Sequence, residues 1–339
     1  MSGQTQVGRI SKPGATMKDK KNVTRREFVR TAIGSAAIAG VASRLRPLQS
    51  MAETVFGKAP MPERSLGRTG HMVRLFSLGG QATLEQPGRE DEAHAIINRA
   101  IDLGVNYIDT SRIYGRGVSE TYIGEVLRSR RKEVFLATKT RDRSYDGSMQ
   151  SLEDSLTALQ TDRLDLWQLH NVRTQEDLDA IFAHNGAIRA LEKARAENIV
   201  RFLGITGHHD PFVLKKGIEQ YPFDSVLVAL NAADRHEDSF IENLLPIAVE
   251  RGMSIVGMKI PARGKIFRPG GITTMKEAMS YVLTLPVSTV IVGIDTIEQL
   301  EENIRLAREF TPLPPEEMKR LEDLTGPYVA DASFFKRKW

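Results

Sequence analysis

From residue 60 onward the chain alternates between two hydrophobic rhythms. Short apolar runs occupy 105–109, 133–139 ("EVFLATK"), 163–170 ("RLDLWQLH"), 200–206 ("VRFLGIT"), 224–231 ("DSVLVALN"), 253–259 ("MSIVGMK") and 288–293 ("STVIVG"). Most of these runs are continuous rather than alternating, the mark of parallel strands covered on both faces. Between them, apolar residues recur at helical spacing over 91–103, 120–129, 149–159, 176–183, 187–197, 211–220, 240–251, 274–283 and 296–309. Ahead of the first helix, "RSLGRTGHMVRLFSLGG" (64–80) reads as a hairpin turning near Thr69-Gly70, then a short strand at 75–78. Eight strands with intervening helices predict an α/β fold, a (β/α)8 TIM barrel with an N-terminal β-hairpin, over 61–325. A doubly wound sheet would want a GxGxxG fingerprint after its first strand, and "SLGGQATL" lacks that spacing. The tail, 326–339, ends in "SFFKRKW"; it either packs over a pocket or hangs loose.

Composition changes this picture mainly at the N-terminus. The 339 residues carry a net charge of +4, but residues 1–52 hold ten Lys/Arg against two acids, which is +8. The remainder, 37 basic against 41 acidic residues, is therefore −4. A mildly acidic body gives nucleic acid no electrostatic footing. The leader pairs "TRREFVR" (24–30) with a weakly apolar run, "TAIGSAAIAGVAS" (31–43), too short to span a bilayer. Arg25-Arg26 followed by Phe28 resembles a twin-arginine (Tat) export signal, with "SMA" (50–52) or "VAS" (41–43) as cleavage sites. The expectation is a disordered or helical signal segment over 1–52 that engages the Tat translocase. The mature protein would then be periplasmic, without a stable membrane anchor. The alternative is a cytoplasmic protein with a basic tail. The chain has no cysteine, which removes disulfides, thiolate metal sites and cysteine nucleophiles and suits an oxidising compartment.

In a barrel, polar residues at the C-terminal ends of strands face the active site. Here Asp109 closes the second strand, with Tyr114 in the loop after it; Lys139 closes the third and His170 the fourth. This quartet suits reversible carbonyl reduction. A phenol is a poor acid near neutrality unless its anion is stabilised; an ammonium at Lys139 would lower its pKa. Asp109 would hold Lys139, and His170 would orient the carbonyl oxygen. No side chain donates hydride, so a nicotinamide is expected. His208, His209 and His236 match no common metal-ligand spacing, and no metal site is expected.

The quartet and its flanks resemble the aldo/keto reductases over 61–325. The matching stretches are "DTSRIYG" in place of the usual Asp-Thr-Ala-x-x-Tyr-Gly, "TK" at strand 3, "LDLWQLH" at strand 4, "LGIT" at strand 5 and "VGIDTIEQLEENI" (292–304) at strand 8. The resemblance implies a metal-independent enzyme that reduces a small-molecule aldehyde or ketone, sugars included, with NADP(H) or NAD(H). Its coenzyme would lie across the barrel mouth, touching Gly80, Thr206, Gly207, Asn231, Met258, Lys259, Gly264, Gly293, Asp295, Thr296, Gln299 and Asn303. The chain departs from the family at Thr206-Gly207-His208-His209, where relatives often grip the carboxamide with Ser-Asn, and at Leu227, where many have Gln. Lys259 stands where many have Ser. Asp295 stands where NADP users often carry Arg, and a carboxylate there suits ribose hydroxyls better than a phosphate. A second reading, a coenzyme-binding sensor with little turnover, uses the same scaffold.

Overall fold

The structure is a computed structural model and describes residues 60–338. The export signal expected over 1–52 lies outside them. Ten strands are described. β1 (Glu63–Ser65) and β2 (Met72–Arg74) pair antiparallel, Glu63 opposite Arg74. The other eight close a parallel barrel: β3 (Phe76–Ala82), β4 (Tyr107–Asp109), β5 (Phe135–Thr140), β6 (Leu164–Leu169), β7 (Val200–Gly207), β8 (Ser225–Ala229), β9 (Ser254–Met258) and β10 (Thr289–Ile294). Each pairs with its sequence neighbour, and β10 closes on β3.

Each connection carries a helix outward: α1 (Glu90–Asp102), α2 (Val118–Arg130), α3 (Tyr145–Ala158), α4 (Gln175–Phe182), α5 (Ala187–Ala196), α6 (Pro211–Gln220), α7 (Phe240–Asn243), α8 (Leu245–Glu250), α9 (Met275–Thr284) and α10 (Ile297–Arg308). Their starts are set locally. Ser144, Thr174, Asp210, Thr274 and Thr296 cap α3, α4, α6, α9 and α10 through side-chain oxygens that accept backbone N–H bonds. The single helix expected at 240–251 is two. Pro246 has no N–H to donate and fits the first turn of a new helix, so the chain breaks at Leu244 and restarts. No described helix is long and apolar enough to cross a membrane.

Two apolar layers share the strands. One, including Ile108, Leu136, Trp167, Leu203 and Val292, packs outward with the helices. The other, Tyr107, Phe135, Ala137, Leu166, Leu227, Val256 and Ile291, fills the barrel. Alternation along a strand puts the two sets on opposite faces. Tyr107 and Phe135 stack with centroids 5.3 Å apart. The hairpin inserts Leu66 and Val73 into this inner layer and so plugs its floor. Arg68 fastens the plug, donating to the carbonyls of Pro222 (2.7 Å) and Phe223 (2.8 Å). Above that packing, the same inward register carries Asp109, Lys139, Gln168 and His170.

The C-terminal region holds helices that the sequence pattern left unassigned: α11 (Pro315–Thr325), α12 (Val329–Ala332) and α13 (Phe335–Lys338). It does not hang loose. Tyr328, Phe335 and Lys336 are buried. Lys336 Nζ meets Asp234 Oδ1 at 2.7 Å and the Glu237 carbonyl at 2.6 Å.

Candidate active site

β4 ends at Asp109 and the chain turns at once through Ser111 to a tight bend at Tyr114–Gly117. Gly115 and Gly117 take φ of 57° and 99°. A Cβ on Gly115 would lie 2.2 Å from the Glu85 carbonyl oxygen, and one on Gly117 1.9 Å from Arg112 Nη1. Glycine at both positions lets the bend close and brings Tyr114 back over the strand ends.

There Lys139 Nζ forms a buried ion pair with Asp109 Oδ2, donates to the Thr110 carbonyl at 2.8 Å, and reaches the Tyr114 hydroxyl at 3.5 Å. The Asp109 carboxylate is completed by Gln168, whose Nε2 donates to Oδ1 at 2.9 Å. The His170 ring meets Tyr114 edge-on, with centroids 5.7 Å apart, and its Nδ1 lies 3.0 Å from Ser111 Oγ. Arg143 holds the strand end behind it, donating to the carbonyls of His170 (2.9 Å) and Asn171 (3.0 Å). Asp109, Tyr114, Lys139 and His170 are thus in one contiguous group. The sequence reading did not single out Ser111 or Gln168. Gln168 had a signal: it stands two residues before His170, in register with the inward-facing Leu166.

Burial dominates the electrostatics. It pushes the Asp109 carboxyl up, opposed by the Lys139 ammonium. It works against the charge on Lys139, but Asp109 and then Tyr114 outweigh it, so the Lys139 pKa is raised and the amine stays charged. Burial also raises the Tyr114 phenol, against the pull of Lys139. Lys139 was expected to bring that phenol down; here desolvation of the phenolate wins. His170 is held well below its usual value, by burial first and then by Lys139, so its ring is neutral.

Of the group, Asp109 and Tyr114 line a cleft of about 710 Å3 at the barrel mouth. Of the residues expected at a coenzyme, Gly80, Met258, Lys259, Gly264, Gly293, Asp295, Gln299 and Asn303 line it. Four do not. Thr206 is buried, its hydroxyl accepting from the Asn171 N–H at 2.9 Å. Gly207 packs so closely that a Cβ would lie 2.8 Å from the Val172 carbonyl oxygen. Asn231 donates to the Ala332 carbonyl at 3.1 Å. Thr296 caps α10. Leu227 points into the inner apolar layer. The sequence reading missed Gln81, Glu85, Arg263 and Glu302, all on the cleft wall. Lys259 is half-buried there, and its pKa falls to about 7, through burial first and then Arg263.

Of the histidines after β7 and β8, His208 and His236 have structural partners, while His209 Nδ1 is buried without a hydrogen bond among the described residues. His208 Nδ1 lies 3.1 Å from the Phe335 carbonyl oxygen and His236 Nε2 2.8 Å from that of Glu322. Among the described residues, Glu90, His94 and Glu125 bring three possible metal-ligand atoms within 4.8 Å of one another; His94 and Glu125 are bonded at 2.8 Å.

Comparison with known proteins agrees with the barrel fold. The sequence pattern of the aldo/keto reductase family matches residues 76–269, more than half of the chain. An uncharacterized oxidoreductase, YqkF of Bacillus subtilis, is 28% identical over 311 residues, 78% of this chain and 97% of the relative. L-galactose dehydrogenase of Arabidopsis thaliana is 29% identical over 289 residues, 74% and 89% of the two chains. The solved holo form of the aldo-keto reductase AKR11C1 from Bacillus halodurans superposes with a TM-score of 0.67 at 28% identity, covering 78% of this chain and 96% of that one. A closed eight-stranded parallel barrel with this family's sequence pattern across it makes the chain a member of the aldo/keto reductase family of oxidoreductases.

Proposed function

We propose that the protein reversibly reduces an aldehyde or ketone carbonyl with a nicotinamide dinucleotide. The observation that carries this reading is the contact chain Asp109–Lys139–Tyr114, with the neutral His170 ring against the phenol, and with Asp109 and Tyr114 on the wall of an open cleft. When bound, the nicotinamide supplies or accepts the hydride. The chain's own residues handle the oxygen. Tyr114, a phenol kept protonated by burial, gives its proton to the carbonyl oxygen as negative charge builds there. Lys139 stabilises the phenolate left behind, and Asp109 keeps that ammonium charged and aimed. His170 donates from Nε2 to the same oxygen and orients it. Alcohol oxidation runs the same proton path in reverse.

The cleft wall suits a dinucleotide. Gly79, Gly80 and Gly293 leave it bare of side chains, and a Cβ on Gly79 would come within 3.1 Å of the Val292–Gly293 backbone. Lys259 and Arg263 offer cations for a pyrophosphate, and Asp295, Gln299, Glu302 and Asn303 offer polar groups for an adenosine. Two carboxylates among those four favour the ribose hydroxyls of NAD(H) over the 2′-phosphate of NADP(H). The L-galactose dehydrogenase relative supports a sugar among the substrates. The twin arginines support export by the Tat translocase, which carries folded proteins and so permits coenzyme loading beforehand.

The test follows NADH and NADPH oxidation with a panel of aldehydes and sugars, for wild type and Tyr114→Phe. Losing the proton donor should cut turnover by roughly 10²–10⁴-fold while coenzyme affinity holds. Equal rates would remove Tyr114 from the mechanism. Retained coenzyme without turnover of any carbonyl would favour the sensor.

A further inference from the structure

The segment after β9 has two faces. One lines the cleft through Lys259, Arg263, Gly264 and Phe267. Its backbone is strained: Lys259, Ala262 and Arg263 take φ of 62°, 47° and 54°, and Gly264 and Gly270 take 81° and 76°. Residues with a Cβ stay in that region only where their surroundings hold them.

The other face is held by the C-terminal segment. The Tyr328 hydroxyl donates to the Ile266 carbonyl at 3.0 Å and accepts from the Ile272 N–H at 3.0 Å, bridging both ends of one turn. Its ring lies 4.2 Å from the Arg268 guanidinium, which also pairs with Asp331 at 2.8 Å. Lys265 Nζ sits 4.2 Å from the centre of the Phe334 ring. A Cβ on Gly271 would come 2.4 Å from the Tyr328 hydroxyl, so the two are packed in contact. The C-terminal segment is rooted elsewhere. Lys336 binds Asp234, the Phe335 carbonyl meets His208, and the Ala332 carbonyl meets Asn231. These roots stand on the loops after β7 and β8. Tyr328, Asp331 and Phe334 do not line the cleft.

We infer that Tyr328 is a positioning residue for the coenzyme: it clamps segment 260–272 against the cleft and sets how long a bound dinucleotide stays. The inference rests on the proposed function only in naming the ligand. A dinucleotide under this segment leaves when the segment opens, and opening breaks both bonds of the Tyr328 hydroxyl. The clamp slows release without touching the ligand.

Tyr328→Phe tests this, because it keeps the ring under Arg268 and removes only the two bonds. Amide hydrogen exchange over 260–272 is measured on the ligand-free protein, and NADH and NADPH release by stopped-flow fluorescence. The loss of two hydrogen bonds should speed both exchange and release about tenfold. Hydride transfer from the preloaded complex should stay within about twofold, since no reacting group has moved. Arg268→Gln, which loosens the same contact from the other side, should act in the same direction. Tyr221→Phe, which removes a hydroxyl bonded to Arg195 at 3.0 Å, should change neither quantity. Exchange unchanged in Tyr328→Phe overturns the inference, as does faster exchange with unaltered release. Wild type that binds neither dinucleotide would defeat the proposed function instead, and wild-type-like exchange in the variant would still overturn the clamp.

Discussion

Ser111 stands where the family usually has alanine, and its hydroxyl meets His170 Nδ1 at 3.0 Å. A neutral imidazole carries one proton, and its partner at one nitrogen decides which nitrogen holds it. The proposed mechanism requires the tautomer in which Ser111 donates to Nδ1 and the proton sits on Nε2, facing the substrate's carbonyl oxygen. Ser111→Ala should lower kcat about tenfold through the lost hydrogen bond while KM changes less, and 15N chemical shifts of His170 should report a mixed tautomer. Lys259 gives a second prediction at this scale. Its pKa in the free protein is about 7, set by burial and Arg263, with Glu85 opposing and Lys139 adding. A pyrophosphate beside it would raise that value, so binding takes up a proton. Dinucleotide affinity should therefore fall as pH rises above about 7, and calorimetry in buffers of different ionisation enthalpy should detect the uptake. Lys259→Met should abolish both effects.

At the scale of elements, the barrel separates stability from chemistry along its axis. The hairpin plugs the floor with Leu66 and Val73, at the opposite end of the strands from Tyr114. Leu66→Ala should cost about 2–5 kcal/mol in chemical denaturation and leave kcat per folded molecule unchanged. β6 works differently, because its inward register runs from packing (Leu166) through Gln168 to His170. The Gln168 amide satisfies one oxygen of a buried carboxylate.

For the whole molecule, two buried histidines held neutral make the fold acid-sensitive: His170 in the strand-end group and His208 where the C-terminal segment meets the barrel. Burial, and then Lys259, lowers the pKa of His208 from 6.5 to about 3. A group depressed in the folded state stabilises fully above its unfolded value. That contribution is lost as pH falls from about 6.5 toward about 3, because the unfolded chain takes the proton first. His208→Gln should flatten the dependence of Tm on pH across that window. Export is also tested on the whole chain: Arg25→Lys with Arg26→Lys should leave the protein inside the cell in fractionation, and periplasmic protein from that variant would remove the proposed role of the pair.

The strands, most helices and the strand-end quartet were legible in the sequence because each depends on local rules. Buried parallel strands must be continuously apolar, helices must repeat every three to four residues, and a barrel must present polar groups at one strand end. Pro246 carried the signal for the break between α7 and α8, yet the apolar period ran across it unbroken. What the sequence could not decide is which polar groups meet across a distance. Ser111 and His170 are 59 residues apart, as are Asp109 and Gln168; Tyr328 and Ile266 are 62 apart. Thr206 and Asn231 held positions expected at a coenzyme, but tertiary contacts engage them with Asn171 and Ala332. The sign of the shift at Tyr114 was likewise decided by folding, since charge proximity was readable from the motif and the depth of burial was not. Local pattern fixes the face a residue points to; only the closed barrel and its C-terminal clamp determine what lies on the other side and how much water remains there.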